Sequence, residues 1–389
     1  MANMKNHATN AFLAHIRIWH WLAYAAIGVT VSSLSGCQTV GATPSGAVMV
    51  KLVAGTYDTK GSEGIYGLTF DPANGNFGQP DLLANADNPS WISVSGERMY
   101  VVNELTEGRL STYAVASNGS ISMITSSPTL GASPCYVAVS PDRRYVATAN
   151  YMGGSVSVFA LDPEGLAKAG PQVLQHAGKG PNPARQEAPH AHWVQWNKQQ
   201  NFLYSVDLGL DEVKAYPFDS KTGRAGSALS ALKLQSGDGP RHLSFHPSLA
   251  TAYVLSELSN TVTVVDQHSD GTLQERQRIG TLPDDFAVHS QAAHLYVSAN
   301  GRNLYASNRG HDSIAVFAIA TDGTLSLLQV SAVMGNWPRS FLVLEDSRTL
   351  LVANQESHNI VAFTIAADGT LKATGKEIAL PQVTFLGRL

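Results

Sequence analysis

Residues 304–325 read Leu304-Tyr-Ala-Ser-Asn308-Arg-Gly-His-Asp-Ser313-Ile-Ala-Val-Phe317-Ala-Ile-Ala-Thr-Asp322-Gly323-Thr-Leu325. A β-rich run ends in a small polar residue. A short polar link and an alternating run follow, and an Asp-Gly turn closes the stretch. Alternation at period 2 marks a half-buried strand, and Asp-Gly between apolar runs marks a hairpin.

The same unit recurs along the chain. The first run returns as Met99–Asn103, Tyr145–Asn150, Leu203–Asp207, Ala252–Ser256 and Leu350–Asn354, and the final residues step by 47, 57, 49, 52 and 46. The second run returns as Ser155–Phe159, Glu212–Tyr216, Thr261–Val265 and Asn359–Phe363, and its starts step in phase, by 57, 49, 52 and 46. The turn returns at Asp270-Gly271 and Asp368-Gly369. Series that keep one spacing define a repeat of about four short strands, with no helical period between them. The fold class predicted is all-β, a seven-bladed β-propeller. Six units begin near Pro89, Pro134, His190, Pro240, Ala293 and Pro338. The seventh is assembled from strands at 51–57 and 64–70 and one at 381–385, so that the N- and C-terminal strands close the ring in one blade and remove its open edges.

The chain has 389 residues, of which 14% are charged and 44% hydrophobic, so it has ample material for a core and does not fit the composition of a disordered chain. A formal net charge of −4 offers no field for nucleic acid or anionic membranes. Two cysteines, Cys37 and Cys135, cannot make a disulfide framework.

Residues 1–36 are expected to be a bacterial lipoprotein signal peptide. Lys5 and Arg17 give a basic start without acids, and Ile18–Val31 is apolar. Leu34-Ser-Gly-Cys37 resembles a lipobox, with Cys37 as the lipidated residue. Gln38, rather than Asp, resembles outer-membrane sorting rather than inner-membrane retention. Residues 37–50 are read as a flexible tether and 51–389 as the propeller. The implied location is the cell envelope, lipid-anchored and periplasm-facing. The membrane is met through the anchor only, and the protein acts as a monomer.

Antiparallel strands put the start of each innermost strand beside the end of the second strand, at one mouth of the channel. Aligned by the repeat, the starts carry His192, His242 and His294, and the residues just before them include Cys135, Arg241 and Arg339. His190, two before His192, is expected to point the same way. Beyond the second-strand ends lie Glu104, Tyr151, Glu257, Arg309 and Gln355. Cys135 is read as a small buried filler. Asp207 is read as structural, and Asn103, Asn150 and Asn308 as ties between blades. Gln186-Glu187, in the long link before His190, is expected to fold over the mouth.

Pro189-His-Ala-His192, Gly239-Pro-Arg-His242, Ser256-Glu257 and Ser307-Asn-Arg-Gly-His-Asp-Ser313 together resemble the seven-bladed propeller lactonases, a family that includes bacterial 6-phosphogluconolactonase and fungal carboxy-cis,cis-muconate cyclase. The likeness runs from Gly55 to Phe385. It implies His190, Arg241, Glu257 and Arg309 as catalytic residues. Around them, His192, His242, His294, Arg339, Gln355 and Glu104 are expected to bind substrate. The chain departs from many relatives at Ala293-His294-Leu295-Tyr296.

The predicted activity is hydrolysis of a sugar-acid lactone, acting on a small-molecule lactone or carboxylate without cofactor or metal. Glu257 or His190 takes the proton from water, Arg241 and Arg309 hold the anion, and His242 or His192 returns a proton. The alternatives are a muconate-type cycloisomerase and a non-catalytic envelope propeller that binds carbohydrate or protein, for which Trp91, Trp193 and Trp337 would be rim aromatics. No Gly-x-Ser-x-Gly elbow supports a nucleophilic triad. His190, His192, His294 and Glu257 resemble a metal set, but two arginines in the same mouth oppose a cation.

Overall fold

The computed structural model describes residues 49–389. The leader, Cys37 and the tether up to residue 48 lie outside the described residues. Val50, assigned to the tether, already pairs with Phe70 in the first strand.

The described residues form seven antiparallel sheets. Blade 1 joins both ends. Val383–Arg388 is its innermost strand and pairs with Val50–Thr56, which pairs with Gly64–Asp71. Blades 2 to 7 follow in order, each a meander from the channel outwards. Their innermost strands are Trp91–Ser95, Pro134–Val139, Ala191–Trp196, Pro240–Phe245, Gln291–Val297 and Pro338–Leu344. Their second strands are Arg98–Asn103, Tyr145–Asn150, Phe202–Asp207, Thr251–Ser256, Asn303–Arg309 and Thr349–Asn354. The predicted ring closure is therefore observed, with the closing strand two residues later than the sequence pattern placed it.

The apolar layers sit between neighbouring blades. One joins blades 3 and 4 through Ala147, Val156, Val194, Leu203 and Phe218. Another joins blades 7 and 1 through Leu52, Phe70, Leu351 and Leu386. A repeated tyrosine crosses three successive seams, between blades 4 and 5, 5 and 6, and 6 and 7. The hydroxyls of Tyr204, Tyr253 and Tyr305, each on a second strand, donate to the carbonyls of Gly271, Gly323 and Gly369 in the next blade, at 3.0–3.1 Å. Those glycines hold φ of +88° to +94° in the Asp-Gly turns, so the hairpin residue that must be left-handed also presents the acceptor.

Asn103 and Asn308 donate to the carbonyls of Asp87 and Thr281 in the links that precede their blades, which ties blade to blade as expected. Asn150 does so indirectly. It donates to Ser155 and Ser157, and Ser157 donates to the Thr129 carbonyl.

Five of the seven innermost strands carry a one-residue bulge at the same place. The extra residues, skipped in the pairing with the second strand, are Thr384, Cys135, His192, Arg241 and Arg339. A similar slip lies across Ala293-His294. A bulge breaks the period of 2 and re-aims the extra side chain. The alignment of His192 with His242 is corrected accordingly. His192 is equivalent to Arg241, and His242 to Trp193.

Candidate active site

Glu257 follows the second strand of blade 5. Its N–H donates to the Gly239 carbonyl, and its own carbonyl accepts from Ala292 of blade 6. The carboxylate thus sits at a blade seam and is 2% exposed. Three guanidiniums surround it. Arg309 Nη2 lies 2.7 Å from Oε2, Arg241 Nε 3.0 Å from Oε2, and Arg185 Nη2 2.5 Å from Oε1. Burial pushes the carboxyl pKa up, but Arg309, Arg241 and Arg185 overrule it and hold the group well below the usual carboxylate range.

The arginines are themselves held in place. Arg241 Nη1 donates to the Ala293 carbonyl and to His242 Nε2. Arg309 donates from Nε to the Gln291 carbonyl and from Nη2 to that of Ala292, and its guanidinium lies over the Trp337 ring. Its hydrogen bonds to the described residues use only those two nitrogens, so Nη1 remains available to a substrate oxygen. Burial and the neighbouring cations lower the pKa of Arg241.

His190 precedes the innermost strand of blade 4. Its backbone N–H donates to Asp207 Oδ1 at 2.8 Å, and Asp207 Oδ2 lies 2.6 Å from His176 Nδ1 in a fully buried pair. Asp207 is therefore structural, as read from the sequence, and what it secures is the backbone of His190. The His190 ring lies parallel to that of Tyr151, with centroids 4.5 Å apart, and its Nδ1 faces the Tyr151 carbonyl at 3.1 Å. A carbonyl accepts only, so Nδ1 carries a hydrogen, and in the neutral ring Nε2 is the basic nitrogen. Nε2 makes no hydrogen bond, although the Glu187 carboxylate stands 3.2 Å away. A proton on Nε2 would meet that carboxylate.

The other three imidazoles form the floor of the mouth. His242 and His294 meet through their Nδ1 atoms at 3.3 Å, and Trp91 packs against both rings. Because Arg241 donates to His242 Nε2, His242 donates from Nδ1 to His294. His192 sits 3.6 Å from the Cys135 sulfur. Burial and the charge of Arg241 push His192 and His242 well below an ordinary histidine, and His294 down to about 3. The expectation that His192 or His242 returns a proton at neutral pH is thereby corrected, since both are neutral rings there. Burial raises the Cys135 thiol, in keeping with a filler.

A second ionic group faces this one. Arg339 Nη2 donates to the Tyr57 hydroxyl at 2.6 Å, and that hydroxyl donates to Glu104 at 3.0 Å. Gln355 turns away along the rim, to Gln382 and Glu356, and contacts neither ionic group. The mouth thus holds Arg185, Arg241, Arg309 and Arg339 against Glu104, Glu187 and Glu257, one cation in excess, around the neutral rings of His192, His242 and His294.

A family model described as Lactonase, 7-bladed beta-propeller matches residues 51–387. The chain belongs to the seven-bladed propeller lactonase family. A relative named 6-phosphogluconolactonase, from Bacillus subtilis, is 36% identical over 295 residues, covering 74% of this chain and 83% of its own length. Two solved structures superpose with a TM-score of 0.82, each over 88% of this chain and 99% of its own. One is titled a putative 6-phosphogluconolactonase from Bacteroides uniformis, at 31% identity, and the other a periplasmic gluconolactonase from Pseudomonas aeruginosa, at 30%.

Within this propeller lactonase, the structure brings His190, Arg241, Glu257 and Arg309 to one mouth, with His192, His242 and His294 beneath them and Arg339 and Glu104 beside them. Arg185 and Tyr57 are site residues that the sequence reading missed. Arg185 lies in a link outside the repeat. Tyr57 was legible only as the position of blade 1 equivalent to Glu104 and Glu257, just past a second strand. A pocket of about 520 Å³ on the opposite face is lined by Phe202, Phe245 and His246, but the His246 nitrogens are taken by the turn at Ser248 and Leu249 and by the Gly301 carbonyl.

Proposed function

We propose that this chain hydrolyses a sugar-acid lactone, with His190 as the base. The observation that carries the proposal is His190 Nε2, a buried ring nitrogen without a hydrogen bond, set beside Glu187 in a mouth of excess guanidinium. Glu257 is a poor base because three cations hold its charge, so its part is to position Arg241 and Arg309.

Nε2 takes a proton from water as the water oxygen bonds to the lactone carbonyl carbon. The carbonyl π pair moves onto its oxygen, and the guanidinium of Arg309 or Arg241 bears that charge. The oxyanion then collapses, the ring C–O bond breaks, and the leaving alkoxide takes the proton back from Nε2. Glu187 faces the imidazolium in between. The product acid loses its proton to solvent. Four arginines in one mouth oppose a catalytic cation.

The test is acid release from a panel of sugar lactones, phosphorylated, carboxylated and neutral, by the protein from Gln38 onwards, with and without chelator. His190→Ala serves as the control for spontaneous opening. Turnover lost in the variant and indifferent to chelator supports the proposal. The same groups suit lactone closure on a muconate-type acid, and turnover of muconates alone would move the assignment to that reaction. No turnover of either class would leave a binding propeller. We further propose a lipid anchor at Cys37 in the cell envelope, on the strength of the Leu34-Ser-Gly-Cys37 quartet and its basic, acid-free leader.

A further inference from the structure

We propose that Arg185 is the specificity residue of this site, a guanidinium that leaves Glu257 to grip an anionic substituent on the lactone, carboxylate or phosphate. The inference rests on the lactonase reading and adds what distinguishes one lactone from another.

Arg185 differs from its two partners on Glu257 in a way that makes it exchangeable. Its side chain is 29% exposed, against 2% for Arg241 and 5% for Arg309. Removing Arg241 or Arg309 would strand a buried charge. Removing Arg185 leaves Glu257 paired with both. Among the described residues its side-chain hydrogen bonds come from Nη2 alone, to Glu257 and, at 3.4 Å, to the Tyr151 hydroxyl. It therefore stands at the solvent edge of the cluster, bridging Glu257 and the ring on which His190 lies.

Its position is built by the link that carries it. Gln186, fully buried, donates from Nε2 to the Leu208 carbonyl and to Asp211 Oδ1, at 2.8 and 2.7 Å. Its backbone N–H donates to the Asn182 carbonyl, and its carbonyl accepts from Gly180. A Cβ at Gly180 would lie 2.7 Å from the Gln186 side chain, so the two fit only with glycine there. Asp211 Oδ1 also accepts the N–H of Gly239, two residues before Arg241. One carboxylate oxygen thus fixes both the link bearing Arg185 and the turn leading to Arg241. The link is held, and the long Arg185 side chain is the part free to change partner.

A substrate anion that displaces the Glu257 contact trades one charge-assisted pair for another. Planar carboxylates and phosphates both match the guanidinium fork. A neutral lactone offers no such exchange, and Arg185 would stay on Glu257.

The experiment compares the wild type with Arg185→Gln on phosphorylated, carboxylated and neutral sugar lactones, and measures affinity for the matching open-chain acids by calorimetry. The readout is the ratio of kcat/KM for charged over neutral lactone. The expected result is a fall in that ratio of about 10- to 100-fold, carried by KM, the factor for loss of one hydrogen bond to a charged group. The arm in which the ratio falls names the anion as carboxylate or phosphate. Affinity for the acid bearing that anion as a second charge falls in parallel, and Arg185→Lys recovers part of it. An unchanged ratio overturns the inference, whether or not absolute rates drop, and equal losses on all three lactones would make Arg185 a positioning residue for Glu257. Absence of turnover and of acid binding in the wild type would instead overturn the lactonase reading itself.

Discussion

Arg241 approaches Glu257 at 3.0 Å, Nε to Oε2, with both side chains buried, yet its Nε–H makes no hydrogen bond. The pair is held by charge rather than by donor geometry. Arg309 lies nearer the same oxygen, at 2.7 Å, and is likewise held by charge; the aligned hydrogen bond comes from Arg185, on Oε1 at 2.5 Å. A carboxylate so placed is needed by the fold as well as by the chemistry.

Glu257→Gln should therefore lose stability and turnover together. Deleting one member of a buried ion cluster leaves uncompensated charge and costs about 3–5 kcal/mol. Thermal unfolding should show the drop. Glu257→Gln combined with Arg309→Met removes one cation as well, and should recover part of the melting temperature while remaining inactive. Recovery of activity in the double variant would refute the role given to Arg309.

His190→Ala should behave differently. Its ring packs on Tyr151, and its backbone is held by Asp207 whatever the side chain. Turnover should fall roughly 10²- to 10⁴-fold, the usual worth of a general base, while the melting temperature falls only by the packing of one buried ring, with no charge left stranded. Asp207→Ala should lose both, because His176 and the His190 backbone lose their common acceptor. A His190→Ala protein with near wild-type kcat would place the base elsewhere.

The contrast between these residues shows what a sequence can and cannot disclose here. The blades were legible because one strand pattern recurs with one spacing, and because Asp-Gly turns must fall where the hairpins do. The gathering of His190, Arg241, Glu257 and Arg309 was legible from strand polarity alone. The aim of the side chains was not. A bulge is a single extra residue at the start of a strand, invisible to periodicity, and it decides that Arg241 and His192 are equivalent. The protonation of the imidazoles was hidden as well, because it depends on the burial of His192, His242 and His294 and on the Arg241 charge beside them. Arg185 was hidden because its link belongs to no repeat.

The tyrosine clamps give a prediction independent of the chemistry. Tyr305→Phe keeps the ring and removes the donor to the Gly369 carbonyl, where both atoms are buried. The cost should be about 1 kcal/mol in denaturant unfolding, without change in kcat. A much larger loss would show that the seam between blades 6 and 7 depends on that one bond.

Anchoring is tested at Cys37. Cys37→Ala should move the protein from the membrane to the soluble fraction of a bacterial lysate, since the thiol is the only acylation point of the Leu34–Cys37 quartet. Retention in the membrane fraction would mean an uncleaved apolar leader rather than a lipid.

The buried imidazoles set how the fold responds to acid. His192, His242 and His294 hold pKa values below the 6.5 of an ordinary histidine, with His294 at about 3, from burial and from Arg241. The unfolded chain therefore binds more protons than the folded one as the pH falls below 6.5. The stability these rings contribute is complete above 6.5 and drains away towards pH 3. Glu257 acts in the same direction lower down. Its carboxyl is depressed below the 4.5 of an ordinary glutamate by Arg309, Arg241 and Arg185, so its contribution is complete above 4.5 and is lost only under stronger acid. Melting temperature should fall in two stages, the first beginning near pH 6.5. His294→Asn, which keeps a polar side chain without a titrating ring, should flatten the first stage and leave the second. An unaltered first stage in that variant would mean that His294 is not the neutral ring described above.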